Sequence, residues 1–277
     1  MSTRGHPSLA CSNNVTVPHS TSVTRTGPSN LVPPGAIDSL MRLVLVNAIY
    51  FLADWEAPFK RASTSDQDFA VAKGPPKKTP TMHQQGRYRI VQADGAKVLE
   101  LPYQGGDAAM LVVLPEPPAR RWWRPGPSSS DGLAALEKSL TAAQLEAWTR
   151  KLAPQNVSVW LPRFEVSPAS MSLGGPLAAL GMPDALDARK ADFTGIANPA
   201  DPAGRLSIGV VLHKAFVKVD EKGTEAAAAM AVMRAGRAGP PRDSIEFRAD
   251  HFFLFAIVDR PTGLVLVLGR VEDPTTR

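Results

Sequence analysis

Two long apolar runs predict the longest strands of this chain. Residues 42–52 are apolar and rich in β-branched side chains, which indicates a strand at the centre of a sheet with both faces covered. Asn47 lies in the middle of this run and needs hydrogen-bond partners if it is buried. Residues 206–220 predict a second strand, in which His213 has apolar neighbours. Those neighbours favour a hydrogen-bonded core histidine over a catalytic base.

Shorter apolar blocks predict further strands, and helical spacing predicts two helical regions. The strands are predicted at residues 98–103, 108–115, 157–164, 252–258 and 263–271. Leucines and Trp148 recur at helical spacing over residues 133–152, where Thr141 is a suitable N-cap for the second part. A short helix is predicted at residues 173–180, ending at Gly181. Many strands with a few helices in this order are typical of an α+β protein.

Composition and charge argue against several kinds of function. Cys11 is the only cysteine and the five histidines are scattered, so we predict no disulfide and no metal site. The net charge of +5 is dispersed along the chain, which argues against nucleic-acid binding. No apolar stretch is long enough to span a bilayer, so no membrane partner is predicted. Without a phosphate-binding glycine loop or a nucleophile motif, we expect neither a cofactor nor an enzyme.

Residues 1–29 differ in composition from the rest of the chain. They are rich in serine, threonine, proline and asparagine and poor in large apolar residues, so we predict that they are disordered. They also lack the apolar segment that a signal peptide requires.

The segment after the strand at residues 206–220 combines several specific features. Residues 221–232 begin with charged residues and a glycine and continue as a run of small residues. Alanine and glutamate alone would favour a helix and linker, but residues 233–241 form a basic stretch rich in glycine and proline. A strand, a glycine hinge, an alanine run and a basic loop together resemble the reactive-loop hinge of the serpins, a family of serine-protease inhibitors.

Further blocks resemble the serpin pattern in the same order along the chain. They are residues 45–51, 54–59, 157–164, 180–182, 191–195, 211–217, 250–255 and 268–274. The resemblance covers residues 30–277 and leaves residues 1–29 outside it. It implies an α+β serpin-like fold with a large mixed β-sheet, smaller barrel-like sheets, helices and an exposed reactive loop at about residues 221–247.

The resemblance implies a suicide inhibitor of serine proteases. The protease cleaves the exposed loop, which then inserts into the large sheet as a new strand and carries the trapped enzyme with it. Since side chains alternate along a strand, Thr224, Ala226 and Ala228 share one face. The alternate set contains a glutamate that is costly to bury, so the first set is expected to face the core. With Glu221 and Gly223, these residues make up the predicted hinge.

The basic part of the loop holds the predicted reactive bond. Counting from Glu221 as in the family places this bond between Arg237 and Ala238. Arg234 is a rival site and Met233 a weaker one. An arginine before the cleaved bond fits a protease with an acidic specificity pocket, so the predicted partner is a trypsin-like serine protease.

Two pairs of residues match positions that the family uses as structural switches. Asn47 and His213 match a pair beneath the point where the large sheet opens. Glu221 and Arg163 match an ion pair at the start of the loop, with Trp55 nearby. The resemblance also implies an extracellular location and a capacity to form loop–sheet polymers.

The chain departs from the family pattern in its N-terminal part. Several helices and at least one strand of the large sheet have no counterpart in residues 1–29. A metastable fold needs its complete frame, and a sheet with an uncovered face tends to aggregate. The alternative prediction is therefore a non-inhibitory or inactive fragment of the fold that serves as a protease substrate or binding scaffold.

Overall fold

The computed structural model describes residues 8–11, 31–38, 41–71, 74–116, 129–198, 205–224 and 244–276. The predictions that lie outside these residues include those for Ala226, Ala228, Arg234, Arg237 and Ala238. The chain forms two compact units. The first consists mainly of Phe51–Val166 and Val217–Arg277, and the second of Leu9–Tyr50 and Ser167–Phe216.

Strands dominate the described part of the chain, and helices are few. The strands are β1 (Ser8–Cys11), β2 (Leu43–Asp54), β3 (Ser65–Phe69), β4 (Lys77–Ala93), β5 (Ala96–Pro102), β6 (Ala108–Pro115), β7 (Ala153–Pro162), β8 (Phe164–Val166), β9 (Met171–Ser172), β10 (Ile208–Val219), β11 (Gly223–Thr224), β12 (Ile245–Arg248), β13 (Phe253–Asp259) and β14 (Val265–Val271). The helices are α1 (Ser129–Ser139), α2 (Ala142–Lys151), α3 (Gly174–Ala179) and α4 (Pro183–Leu186), with a 3₁₀ turn at Arg61–Ser63. The predicted α+β class is confirmed.

Elements with a strong local signal form where the sequence predicts them. β13 and β14 pair as an antiparallel hairpin, and so do β5 and β6. Helix α2 begins after Thr141, whose hydroxyl accepts a hydrogen bond from the Gln144 amide at 3.1 Å. Helix α3 ends two residues before Gly181, which has a φ of +104°. Strand β1 is a departure, because its four residues lie in the segment predicted to be disordered.

One sheet lies wholly in the first unit and forms its core. Its strand order is β12–β7–β4–β5–β6–β13–β14, with β3 paired to β4. β12 and β7 are parallel, whereas the other pairs are antiparallel. All eight residues of β6 are buried. A strand buried on both faces reads as a continuous apolar run, which is why this one is easily predicted.

The second sheet is built around β2 and β10. Residues 43–50 and 208–216 of these strands pair in parallel, with His213 opposite Asn47. Leu45 is 41% exposed and Leu52 is 38% exposed, and Asn47 is exposed as well. The prediction that β2 is covered on both faces is therefore wrong. An apolar run shows which residues a strand contains, whereas the burial of those residues depends on the elements that pack against the strand.

Candidate functional site at the loop hinge

The hinge begins as a short strand held by two neighbours. β11 pairs antiparallel with the end of β2, where Gly223 lies opposite Asp54 and Thr224 opposite Ala53. On its other side Thr224 lies opposite Val219 of β10. A tight turn at residues 220–222 reverses the chain between β10 and β11. The first residues of the predicted loop are therefore already part of the sheet.

Gly223 is at the closest approach between β11 and β2. A Cβ atom at this position would lie 2.1 Å from the carbonyl oxygen of Ala53 and 2.6 Å from the Cα of Asp54. Real side chains cannot approach backbone atoms so closely, so only glycine fits without moving the strand. The predicted hinge glycine thus owes its place to contact with the backbone of β2.

Glu221 is held by two donors from distant parts of the chain. Its carboxylate accepts hydrogen bonds from the Arg163 guanidinium, with Nε at 2.9 Å, and from the Thr64 hydroxyl at 2.6 Å. Burial alone would raise the pKa of the Glu221 carboxyl, but these hydrogen bonds and the charge of Arg163 outweigh burial and lower it. The structure brings Glu221 and Arg163 together as the resemblance implies, and it adds Thr64.

Trp55 ties the backbone of the hinge turn to the end of β2. Its indole nitrogen donates to the carbonyl oxygen of Asp220 at 3.0 Å. Its backbone amide donates to the carbonyl oxygen of Lys222 at 2.7 Å. The Phe59 amide donates to the carbonyl oxygen of Glu221 at 2.8 Å. Trp55, which the resemblance places near the ion pair, is 2% exposed and therefore part of the core under the turn.

Tyr103 completes the site from the core of the first unit. Its hydroxyl lies 2.7 Å from the hydroxyl oxygen of Thr224, and both residues are fully buried. The Tyr103 ring stacks on the Trp55 ring at 4.6 Å between centroids. Burial raises the pKa of the Tyr103 phenol, and the hydrogen bond to Thr224 opposes this only in part. The sequence gives no local signal for this contact.

Asn47 and His213 lie in the second unit. They are register partners in the parallel pairing of β2 with β10, so the structure brings the two predicted switch residues side by side. Asn47 is exposed and His213 is half-buried. The half-burial of His213 does not fit the predicted core position.

The described residues offer structural support rather than catalytic chemistry. In this part of the chain no cluster of three or more histidine, cysteine, aspartate or glutamate side chains could hold a metal ion. No helix among the described residues is both long enough and apolar enough to cross a bilayer. The hinge groups pair with one another and with backbone atoms. What this arrangement can do is hold the start of a strand in a defined position.

Comparison with proteins of known sequence points to one family. A family model described as Serpin (serine protease inhibitor) matches residues 20–274. Leukocyte elastase inhibitor A of Rattus norvegicus is 39% identical over 248 residues, which cover 88% of this chain and 62% of that protein. Serpin B8 of Bos taurus is 38% identical over 251 residues, covering 89% of this chain and 62% of the relative. The chain thus spans less than two thirds of the length of these curated relatives.

Solved structures give the same result. Uncleaved ovalbumin matches with a TM-score of 0.70 and 31% identity, over 88% of this chain and 58% of that one. Native protease nexin-1 with heparin matches with a TM-score of 0.71 and 31% identity, over 88% and 61% respectively. The family description and the name of the rat relative denote inhibitors, which confirms the prediction that the chain is not an enzyme. Because the family model matches residues 20–274, the chain belongs to the serpin family.

Proposed function

We propose that this protein inhibits a serine protease by having its reactive loop cleaved and then inserted between β2 and β10. The observation that carries this proposal is β11, because its two residues already pair antiparallel with both strands. The hinge is thus the first segment of the strand that insertion would complete. Residues 225–243 continue directly from it.

Insertion would exchange one ladder of hydrogen bonds for two. β2 and β10 pair directly with each other along residues 43–50 and 208–216. A loop strand between them would replace this ladder with one ladder to each neighbour. At a net gain of about 1 kcal/mol for each added hydrogen bond, roughly ten added bonds supply on the order of 10 kcal/mol. This gain is the driving force that the mechanism requires.

The side chains of the hinge indicate which face of the inserted strand would turn toward the core. Thr224 is fully buried in β11, which supports an inward direction for the face of the inserted strand that carries it. Continuing that alternation would direct Ala226 and Ala228 inward. Small side chains at these positions would enter a packed sheet without overfilling it. We therefore propose that the inserted strand continues from Thr224 with the same alternation of side chains between its two faces.

We propose that the protease cleaves the bond between Arg237 and Ala238, with the bond after Arg234 as the alternative. An arginine before the cleaved bond selects a trypsin-like protease with an acidic pocket. The rat relative, however, is named an elastase inhibitor, and elastase has a small specificity pocket. Ala235 and Ala238 offer small residues near the proposed bond. An elastase-type enzyme is therefore the second candidate partner.

Incubation with trypsin and, separately, with leukocyte elastase tests both the activity and the partner. Denaturing gels would show a covalent complex as a band at the summed mass, and mass spectrometry would locate the cleaved bond. We expect the band with trypsin and cleavage after Arg237. The Arg237→Ala variant should lose the trypsin complex, whereas the matched Arg234→Ala variant should retain it.

The other results of this experiment are equally informative. A covalent band with elastase alone would exclude the trypsin-like assignment and support the second candidate. Clean cleavage by both enzymes without a covalent band would exclude inhibition by this chain.

The alternative function is that of a non-inhibitory family member, which proteases cleave or other molecules bind without a trapping step. The exposure of Leu45 and Leu52 favours it, because uncovered apolar side chains promote self-association over a stable inhibitor. An extracellular location stays a prediction of the resemblance, and the names of the relatives do not support it.

A further inference from the structure

We propose that Tyr103 is a positioning residue that anchors β11 and sets the register from which loop insertion starts. The anchoring follows from the contacts of Tyr103 alone. Its consequence for inhibition rests on the proposed function.

The anchor is a hydrogen bond between two fully buried hydroxyl groups. Tyr103 and Thr224 are each 0% exposed, and their oxygens are 2.7 Å apart. A buried hydroxyl that loses its partner has no water to replace it. Each group therefore holds the other in place, and a change to either leaves an unpaired polar atom inside the protein.

Tyr103 is fixed by the body of the first unit and not by the loop. Its ring stacks on Trp55 with an interplanar angle of 9° and packs at a tilt against Phe51 at 5.0 Å. Its backbone amide donates to the carbonyl oxygen of Ala108 at 3.0 Å. Since these contacts hold the ring without any loop residue, the Tyr103 hydroxyl is a fixed point to which Thr224 attaches.

A fixed first residue has two consequences for a strand that must be added. Extension from an ordered end avoids the entropic cost of bringing a free loop to the sheet. A slip by one residue would turn every inserted side chain to the opposite face, and the bond to Thr224 prevents that slip at the outset. After cleavage, insertion competes with hydrolysis of the acyl-enzyme. A faster start in the correct register therefore favours trapping.

Tyr103→Phe is the direct test, because it removes the hydroxyl and keeps the ring on Trp55. Tyr88→Phe is the matched control, since Tyr88 is also buried, at 7% exposed, and its hydroxyl makes no hydrogen bond within the described residues. Amide hydrogen exchange in peptides covering residues 221–224 of the whole chain reports on the anchor without any protease. We expect about ten-fold faster exchange in Tyr103→Phe and no change in Tyr88→Phe.

The partition between covalent complex and cleaved protein then tests the role in insertion. Tyr103→Phe and Thr224→Val should each raise the cleaved fraction severalfold at an unchanged rate of loop cleavage. In the double variant the increase in the cleaved fraction should be smaller than the sum of the increases in the two single variants, because each single substitution removes the same hydrogen bond. A general loss of packing would instead alter the cleavage rate and the unfolding temperature together.

The outcomes separate this inference from the proposed function. Unchanged exchange in Tyr103→Phe would overturn the anchor, whatever happens with the protease. Faster exchange with an unchanged partition would overturn the role in insertion. If the wild-type protein forms no covalent complex at all, the proposed function fails, and the exchange result alone decides whether Tyr103 anchors β11.

Discussion

Glu221 is the residue whose ionisation state most directly affects the hinge. Hydrogen bonds from Arg163 and Thr64 lower the pKa of its carboxyl below the ordinary value of 4.5. A lowered carboxyl pKa adds stability that is present above the ordinary value and lost as the pH falls through the lowered one. We expect Glu221→Gln to lower the free energy of unfolding at pH 7 by about 2 kcal/mol. It should also reduce the loss of stability that urea unfolding detects on acidification.

Glu221→Lys provides the contrasting change at the same position. It places a second cation beside Arg163 and removes the acceptor of Thr64, so the turn that holds β11 is released. We expect premature loop insertion or loop–sheet polymers, measured by size-exclusion chromatography after mild warming. A monomer yield and an unfolding profile equal to those of the wild type would contradict the assigned role of Glu221.

His251 has the opposite pH dependence. Burial alone would lower the pKa of its imidazole, but hydrogen bonds to the Asp250 carboxylate and the Pro115 carbonyl oxygen outweigh burial and raise it above 6.5. The stability it adds is therefore fully present below pH 6.5 and lost as the pH rises through the raised pKa. The free energy of unfolding, measured below pH 6.5 and above the raised pKa, should be lower at the higher pH. The His251→Gln variant should abolish this difference.

His83 supplies the control for that experiment. Burial and the nearby charge of Arg248 lower the pKa of its imidazole, so its contribution changes with pH in the opposite sense. His83→Gln should leave the loss at higher pH in place. If both variants behave alike, the contacts of His251 do not explain the profile.

At the scale of elements, the fit of β11 against β2 depends on Gly223. The Gly223→Ala variant would place a methyl group 2.1 Å from a backbone oxygen that cannot rotate away. We expect β11 to detach, with a loss of about 3 kcal/mol or more in the free energy of unfolding. Gly195→Ala is the matched control, because no atom lies within 4 Å of the added Cβ. Equal unfolding curves for the two variants would show that β11 is not packed as described.

The elements that the sequence predicts are those with a local signal. The cap at Thr141 precedes α2, and the apolar blocks of β6 and β13 lie where strands form. Strands β4 and β12 escape prediction, because their polar and charged residues break the apolar pattern. The strand at β2 is predicted, but its exposed positions are not, since they depend on partners elsewhere in the chain.

The site shows the same division between local and distant signals. Glu221, Gly223 and Thr224 stand out because they follow one another in a recognisable hinge. Tyr103 and Thr64 do not, because their partners lie 121 and 157 residues away along the chain. No spacing rule connects residues so far apart, and their types are common. Only the fold reveals that both residues hold the start of the loop.

At the scale of the whole molecule, trapping by loop insertion requires that the native protein is not at its lowest free energy. β11 occupies the first two positions between β2 and β10, and the remaining positions are filled by a direct pairing of the two strands. The intact loop is tethered at both ends, whereas a cleaved loop can extend β11. Cleavage should therefore convert the loop into a central strand and stabilise the molecule.

The most direct test compares thermal unfolding before and after cleavage of the loop within residues 225–243. On the order of 10 kcal/mol from the added ladder predicts a rise of about 20 °C or more in the unfolding temperature. Ala228→Arg is the control, because a charge at a position proposed to turn inward only on insertion should block insertion after cleavage. A cleaved wild-type protein that unfolds at or below the temperature of the intact one would contradict the account.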